Sequence, residues 1–235
     1  MTTLYGSILK AKEQNKKLLA VLIDPEKFDT GDIQAFLNKI PSYTTHFFVG
    51  GSTDPNHQTA SVVEALKNNT GLPVVLFPGN ADQITDRADA LLFLSLISGD
   101  NPEYLIGQHL KAVPRLRKTV LEVIPTAYIL VDGGNTSSIE KVSNTRPVLQ
   151  SDVKKIRDLA IAAYYLGKKL IYLEAGSGAS QHVSPEIIKT VRKNIYLPLI
   201  VGGGIRSRKI LQEVFDAGAD MAVIGTAFEN NSFEE

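Results

Sequence analysis

The sequence predicts an α/β protein in which parallel strands close into a (β/α)8 barrel, the TIM-barrel architecture. Eight short apolar segments recur along the chain, and helical patterns separate most of them. The length of 235 residues is close to that of a compact barrel. No linker or low-complexity stretch divides the chain, so we expect one domain over residues 1–235.

The strand candidates are nearly continuous apolar runs, which is typical of parallel strands buried on both faces. They are residues 18–23, 46–49, 73–77, 90–94, 120–131, 170–173, 197–201 and 222–224. Helical patterns occupy residues 32–39, 60–68, 104–113, 152–166, 185–191 and 208–217. Ser151-Asp152 and Ser184-Pro185 are typical of helix N-termini, and Gly167 and Gly218 stand where C-terminal caps belong.

Three segments depart from a regular barrel. The connection at residues 78–89 is too short for a crossover helix with its loops. The apolar run 120–131 contains Pro125, near which we expect the strand to break. The connection at residues 132–150 is long and polar, and a long unstructured connection in a compact domain is typical of a lid or binding loop.

The composition restricts the possible partners. Basic and acidic residues are balanced at 25 each, which argues against nucleic acid and against a polybasic membrane contact. The absence of cysteine excludes disulfides and thiolate metal sites and fits a reducing compartment. The first residues lack a signal pattern, and no apolar run approaches the roughly 20 residues of a membrane span. We expect a soluble, cytoplasmic protein without stable membrane insertion.

Three glycine-rich turns follow predicted strands in the last third of the chain. They occupy residues 172–178, 201–207 and 224–226. Glycine lets the backbone approach a ligand closely, and a helix that begins there directs unpaired N–H groups and its positive dipole end at it. The three turns therefore predict one composite phosphate site.

Polar residues at the predicted strand ends are candidates for chemistry. Asp24 could ligate Mg²⁺ or simply cap the turn at Pro25, and Ser52 could complete the metal site or begin a helix. Glu174 could accept a hydroxyl proton or form a structural salt bridge. Tyr172 lies on the same strand face, where it could contact the ligand or pack in the barrel. Arg206 could reach a second phosphate or be exposed.

Five motifs together resemble the geranylgeranylglyceryl phosphate synthase family, the archaeal-type ether lipid synthases and their bacterial relatives. They are Leu-Ile-Asp-Pro-Glu-Lys at 22–27, Gly-Gly-Ser at 50–52, Tyr-Leu-Glu-Ala-Gly-Ser-Gly at 172–178, Val-Gly-Gly-Gly-Ile-Arg at 201–206 and Ile-Gly-Thr at 224–226. The resemblance implies a modified barrel whose disrupted third helix leaves a gap for a prenyl tail. It also implies an Mg²⁺-dependent prenyltransferase of lipid biosynthesis. Such an enzyme joins the prenyl group of a prenyl diphosphate to sn-glycerol 1-phosphate through an ether bond, and the expected donor is geranylgeranyl diphosphate. The short connection at 78–89 agrees with this.

The resemblance also assigns roles by position. It implies that Asp24 and Ser52 bind Mg²⁺. Tyr104 lies in a segment that resembles the family's tail-limiting region, and we expect it to limit the length of the prenyl tail. We expect Glu174 to be catalytic, by orienting or deprotonating the glycerol hydroxyl. Leu22 stands where some members have a lysine, which places this chain nearer the branch that includes many archaeal enzymes and their bacterial relatives. The family forms dimers and larger assemblies, so we expect a homo-oligomer. The residues expected to bind glycerol 1-phosphate are Tyr172, Leu173, Glu174, Ala175, Gly176, Ser177, Gly178, Gly203, Gly204, Gly225 and Thr226.

Two other functions use the same phosphate site. A sugar-phosphate isomerase or aldolase would add an acid/base pair or a Schiff-base lysine facing the substrate. No lysine ends a predicted strand, and Lys27 lies beyond the proline turn. A non-catalytic barrel that binds a phosphate ligand is the other alternative, and the absence of turnover with bound ligand would favour it.

Overall fold

The computed structural model describes residues 3–235 and consists of eight parallel strands that close into a barrel in chain order. The barrel closes where Leu18 of the first strand pairs with Met221 of the last. The predicted barrel architecture is therefore confirmed. The strands are β1 (Leu18–Ile23), β2 (His46–Val49), β3 (Val74–Leu76), β4 (Ala90–Leu96), β5 (Glu122–Leu130), β6 (Leu170–Glu174), β7 (Leu199–Gly202) and β8 (Met221–Ile224).

The helices surround the barrel and close its lower end. They are α1 (Leu4–Glu13), α2 (Ile33–Lys39), α3 (Thr59–Asn69), α4 (Gln108–Leu116), α5 (Ser138–Ser143), α6 (Val153–Tyr165), α7 (Pro185–Asn194), α8 (Arg208–Asp216) and α9 (Thr226–Glu229). A 3-10 turn at Thr30–Asp32 precedes α2, and a π-helical turn at Glu103–Gly107 precedes α4. Within residues 3–235, no helix is both long and apolar enough to cross a membrane.

Side chains alternate between the two faces of each strand, which separates the core into layers. Inward-facing Phe48, Leu92 and Tyr172 belong to the cluster inside the barrel. Outward-facing Phe47 and Leu173 pack with the surrounding helices. At the carboxyl end of each strand, the inward-facing residues therefore line one end of the barrel, which we call the upper end. The predicted site residues lie there.

The third crossover, between β3 and β4, is the irregular part of the barrel. No helix forms in residues 77–89, all of which are described, so the predicted disruption of the third helix is confirmed. Arg115 of α4 donates to the carbonyls of Ala81 and Asp82, and Gln108 accepts from the Ala81 amide. These bonds hold the crossover beside α4.

Several local predictions can be compared with the structure. Asp152 and Ser184 cap α6 and α7 by accepting from the amides of Lys155 and Ile187, which confirms both predicted starts. The expected break at Pro125 is wrong, because β5 continues through it. The pairing of β5 with β6 begins only at Thr126 and Leu170, and Lys169, just before β6, donates to the Pro125 carbonyl. The edge of Pro125 that lacks an N–H group therefore has no strand beside it that would need the donor.

The connection at 132–150 is not wholly unstructured. It contains α5, capped by Ser137, and Val148 forms a bridge with Val131 at the end of β5. The helix α1 was not predicted from the sequence. This helix closes the lower end of the barrel, where the amides of Leu4 and Tyr5 donate to the Glu122 carboxylate.

Candidate active site

One cavity of 670 Å³ opens at the carboxyl ends of the strands, and residues from all eight strands or the turns after them line it. This is the end of a (β/α)8 barrel at which active sites are built. Asp24, Ser52, Tyr104, Glu174 and Thr226 all line this cavity. The structure therefore brings together the predicted metal residues, the catalytic candidate and the tail-limiting candidate.

The three glycine turns meet on one side of the cavity. The Ser177 and Thr226 hydroxyls, from the first and third turns, lie 3.0 Å apart. Gly178 and Gly204 have φ values of +69° and +71°. This is the left-handed region, which glycine adopts readily and most other residues do not. Within residues 3–235, the amides of Ser177, Gly178 and Gly204 donate to no protein group. They are free to bind an oxyanion.

Glu174 ends β6 at the base of these turns. Its side chain is buried, with 6% of its surface exposed, and Oε1 accepts from the Gly176 amide at 2.7 Å. Burial raises the pKa of this carboxyl to about 7, and the Gly176 bond opposes the shift only in part. No ion pair involves Glu174 within the described residues, so the salt-bridge interpretation is wrong. A carboxyl with this pKa can exchange a proton near neutral pH.

Aromatic rings form the floor of the cavity. The Tyr172 ring packs 5.3 Å from both Phe77 and Tyr128, centroid to centroid. The buried Tyr172 hydroxyl approaches the Glu174 carboxylate, but it lacks hydrogen-bond geometry to any group in residues 3–235. A buried hydroxyl without a partner is costly, so this atom is suited to receive a ligand group.

The structure separates the predicted glycerol phosphate residues into two groups. Tyr172, Glu174 and the cavity-facing glycines lie at the surface of the cavity. Leu173 and Ala175 point away from it and pack in the outer core, and the Ala175 amide bonds to Gly202. Their side chains are therefore unavailable to a ligand in the cavity, because strand residues alternate between faces.

The turn after β1 carries a carboxylate and cation pair. Lys27 lies between Asp24 and Glu229, with Nζ–O distances of 3.0 and 3.6 Å. The Gly51 backbone packs on the Asp24 carboxylate, which leaves no room there for a side chain. Ser52 follows in the same turn. Within residues 3–235, no three acidic or histidine side chains cluster as a metal site.

The buried side chain of Gln83 fixes the turn that carries Gly51 and Ser52. Its Oε1 accepts from the Gly79 amide at 3.0 Å, and its Nε2 donates to the Gly51 carbonyl at 3.1 Å. Gln83 thus connects the third crossover to the β2 turn beside Asp24.

An apolar arm of the cavity extends between the third crossover and α4. Ile84 lines it from the crossover, Phe93 from β4, and Tyr104 and Ala112 from the α4 region. The Tyr104 hydroxyl donates to the carbonyl of Val142 in α5 at 3.1 Å, which fixes the ring at the wall. The arm exists because no helix fills the third crossover.

Tyr128, Gln83 and Glu229 are site residues that the sequence analysis missed. The alternation of β5 could have identified Tyr128, which pairs in register with Tyr172. No sequence signal identifies Gln83 or Glu229, because their contacts join segments distant along the chain. Arg206, considered for a second phosphate, lines the cavity but donates to the Ala179 carbonyl.

Comparison with known proteins gives consistent matches. A model of the PcrB family matches residues 11–235. The geranylgeranylglyceryl phosphate synthase of Zunongwangia profunda is 54% identical over 100% of both chains, and that of Pyrococcus furiosus is 42% identical over 95% of this chain and 90% of its own.

Solved structures agree with these relatives. The (S)-3-O-geranylgeranylglyceryl phosphate synthase of Thermoplasma acidophilum, in complex with substrate sn-glycerol-1-phosphate, has a TM-score of 0.91 at 34% identity and covers 97% of this chain and 92% of its own. An aldolase, QR15, has a TM-score of 0.54 at 15% identity over 92% of this chain and 91% of its own, a likeness of fold alone.

Proposed function

The chain belongs to the PcrB family, as the resemblance to geranylgeranylglyceryl phosphate synthases predicted, and we propose that it transfers a prenyl group to the C3 hydroxyl of sn-glycerol 1-phosphate. The observation that carries this proposal is the shape of the cavity. The three glycine turns form a site for phosphate, which we call the phosphate cup. This cup, the buried Glu174 carboxylate and the apolar arm all open into the same cavity. Such a cavity suits one small phosphate ester and one long apolar partner.

The glycine turns hold the glycerol phosphate in this proposal. The free amides of Ser177, Gly178 and Gly204 donate to the phosphate oxygens, and the N-terminus of the turn at Thr226 adds hydroxyl and amide donors. Tyr172 donates its unpartnered hydroxyl to the glycerol part. Fixing the phosphate at one end orients the C3 hydroxyl toward the centre of the cavity.

Glu174 accepts the proton in the transfer step. The C3 oxygen forms a bond to the allylic carbon of the prenyl group as that carbon's bond to the diphosphate oxygen breaks. The electron pair of that bond leaves with the diphosphate, and the hydroxyl proton passes to Glu174. Because its pKa is about 7, a large fraction of Glu174 is ionised near neutral pH and still basic enough to accept this proton.

The wall at Asp24 suits a divalent cation. The Asp24 carboxylate and the Ser52 hydroxyl are hard oxygen donors, and Lys27 already places one positive charge against Asp24. We therefore propose that these residues hold Mg²⁺, which supplies neutralisation of the departing diphosphate when bound. Lys27 lies near enough to turn from Asp24 toward the diphosphate and supply a second cation.

The apolar arm receives the prenyl tail. Burying methylene groups there stabilises binding by about 0.8 kcal/mol each, so a geranylgeranyl tail gains most from a long arm. Tyr104 stands in the wall of the arm and limits its length.

A homo-oligomer and a cytoplasmic location complete the proposal. The family resemblance supports the oligomer, and the cysteine-free composition supports the location.

A Schiff-base aldolase is a weaker explanation of the same cavity. Lys27 is the one lysine among the described residues that line it. Burial alone lowers the pKa of Lys27, but the hydrogen bond to Asp24 and the charge of Glu229 outweigh this and raise it. A Schiff-base lysine needs the opposite shift, because its neutral amine attacks the carbonyl.

A direct assay tests the function. The protein is incubated with Mg²⁺, sn-glycerol 1-phosphate and prenyl diphosphates of several lengths, and the organic extract is analysed by mass spectrometry. We expect an ether-linked prenylglyceryl phosphate and free diphosphate in equal amounts. Bound glycerol phosphate without product would instead favour the non-catalytic barrel, and release of prenyl alcohol alone would contradict glycerol phosphate as the acceptor.

A further inference from the structure

The segment made of α4 and its preceding π-helical turn has two apolar faces. Tyr104, His109 and Ala112 lie on the face that lines the cavity. Ile106, Leu110 and Val113 point to solvent, with 54, 66 and 43% of their surface exposed. Their spacing of four and three residues places them in one stripe, which we call the outer face of α4.

Four basic side chains lie in the same segment as the outer face. Lys111, Arg115, Arg117 and Lys118 are all exposed, and Glu103 is the one acidic residue of segment 103–118. Lys111 pairs with Glu103 and Arg115 with Asp82. Within residues 3–235, Arg117 and Lys118 have no ion pair. The zero net charge of the whole chain therefore conceals a local excess of positive charge.

We propose that the outer face of α4 docks on an anionic lipid surface, an inference whose purpose rests on the proposed function. An apolar stripe flanked by lysine and arginine is the composition of helices that lie in a membrane interface. The contact is peripheral, since the three apolar side chains reach only the boundary of the bilayer.

A second copy of the chain fits the outer face less well. In a two-fold interface the same patch meets itself. Each copy would then bring Arg117 and Lys118 to the interface, while the one carboxylate of segment 103–118, Glu103, is already paired with Lys111. Like charges brought together in this way oppose association, whereas anionic lipid attracts them.

Docking at this face would bring the cavity close to the bilayer. The helix separates the outer face from the apolar arm, and a helix with its side chains is roughly 10 Å across. A prenyl diphosphate and its ether product both partition into lipid through their tails. An enzyme docked by α4 would receive and return these tails without exposing them to water.

Vesicle co-sedimentation without substrates tests the docking itself. The probes are phosphatidylcholine vesicles and vesicles containing roughly 30% phosphatidylglycerol at low salt. We expect binding to the anionic vesicles alone, weakened about tenfold or more by Ile106→Gln with Leu110→Gln, and to a similar extent by Arg117→Gln with Lys118→Gln. Leu149→Gln, which changes an apolar side chain 60% exposed outside the α4 segment, is the matched control and keeps wild-type binding.

Two outcomes would overturn the proposal. The first is equal binding of wild type and outer-face variants, each with a native circular dichroism spectrum. The second is an assembly that dissociates in light scattering when Ile106 and Leu110 are replaced, with no vesicle binding by wild type, which would make α4 an interface between copies.

An activity comparison separates docking from the proposed reaction. With prenyl diphosphate dispersed in detergent, Ile106→Gln with Leu110→Gln keeps wild-type turnover, because neither residue lines the cavity. With the same substrate embedded in anionic vesicles, the variant loses turnover in proportion to its lost binding. Absence of product from wild type in both formats would contradict the reaction and leave the vesicle result as the test of docking.

Discussion

Gly203 lies directly against the carboxylate of Glu174. A Cβ atom on Gly203 would stand 2.5 Å from Glu174 Oε1 and 2.7 Å from the Gly176 amide nitrogen. The second glycine turn therefore packs on the first turn at the position of the candidate proton acceptor. The phosphate cup and the carboxylate share this contact, so a change in one is expected to displace the other.

Replacing Gly203 by alanine should weaken glycerol phosphate binding. The φ of Gly203 is +82°, which disfavours alanine, and the added methyl group would clash with both Glu174 and Gly176. We expect a loss of affinity of roughly tenfold or more in isothermal titration calorimetry. Gly71→Ala is the matched control, since a Cβ there meets no atom within 4 Å. Unchanged affinity in Gly203→Ala would contradict the packing of the two turns.

The buried Glu174 carboxyl should make stability depend on pH. Burial raises its pKa from 4.5 to about 7, so between these values the native protein keeps a proton that the unfolded chain has released. The stability gained from Glu174 is present below pH 4.5 and is lost as the pH rises through 7, by about 3 kcal/mol at most. Glu174→Gln cannot titrate, so its stability relative to wild type should increase over this range.

Urea unfolding of both proteins, below pH 4.5 and above pH 7, measures this difference. A free energy of unfolding that changes in parallel for wild type and Glu174→Gln would show that the carboxyl titrates alike in the folded and unfolded states. That result would contradict the buried, proton-exchanging carboxyl on which the proposed chemistry depends.

Asp24→Asn should impair binding of the prenyl diphosphate more than binding of glycerol phosphate. The substitution removes the carboxylate proposed to hold Mg²⁺, whereas the first two glycine turns follow β6 and β7, which do not pair with β1. With an unreactive thio analogue of the prenyl diphosphate, we expect roughly a hundredfold loss of Mg²⁺-dependent affinity. Chelation of metal from wild type should reproduce this loss. Equal losses of affinity for both ligands would contradict this role and would indicate that Asp24 stabilises the fold instead of binding the diphosphate.

Tyr104→Ala should extend the accepted tail length. Removing the ring opens the wall of the apolar arm near α5, so the preference for a longer over a shorter prenyl diphosphate should rise about tenfold in kcat/KM. Tyr104→Phe keeps the ring and loses only the bond to the Val142 carbonyl, so it should retain the wild-type preference. An unchanged preference in Tyr104→Ala would place the limit elsewhere in the arm.

The glycine turns and the strand ends were predictable because their chemistry is local. A glycine-rich turn after a buried strand indicates a phosphate site from its own residues, and Asp24 follows β1 directly. The short connection at 78–89 likewise predicted the missing helix from its length. The alternation of β6 could also have excluded the side chains of Leu173 and Ala175, which the family motif included.

Other features depend on contacts between distant segments. Gln83 acts on the turn at Gly51, and Glu229 reaches Lys27 from the last helix. The continuity of β5 through Pro125 depends on where β6 begins, which no property of residues 120–131 reveals. Such relationships arise only when the barrel closes.

The proton acceptor is the central claim, and a single-turnover experiment on Glu174→Gln tests it most directly. With both substrates saturating, the ether product is quantified at millisecond to minute times, and glycerol phosphate affinity is measured in parallel. We predict that Glu174→Gln forms product about a hundredfold or more slowly, with affinity within roughly threefold of wild type, while the wild-type rate rises with pH through about 7. Product formation by Glu174→Gln at near the wild-type rate would contradict the account.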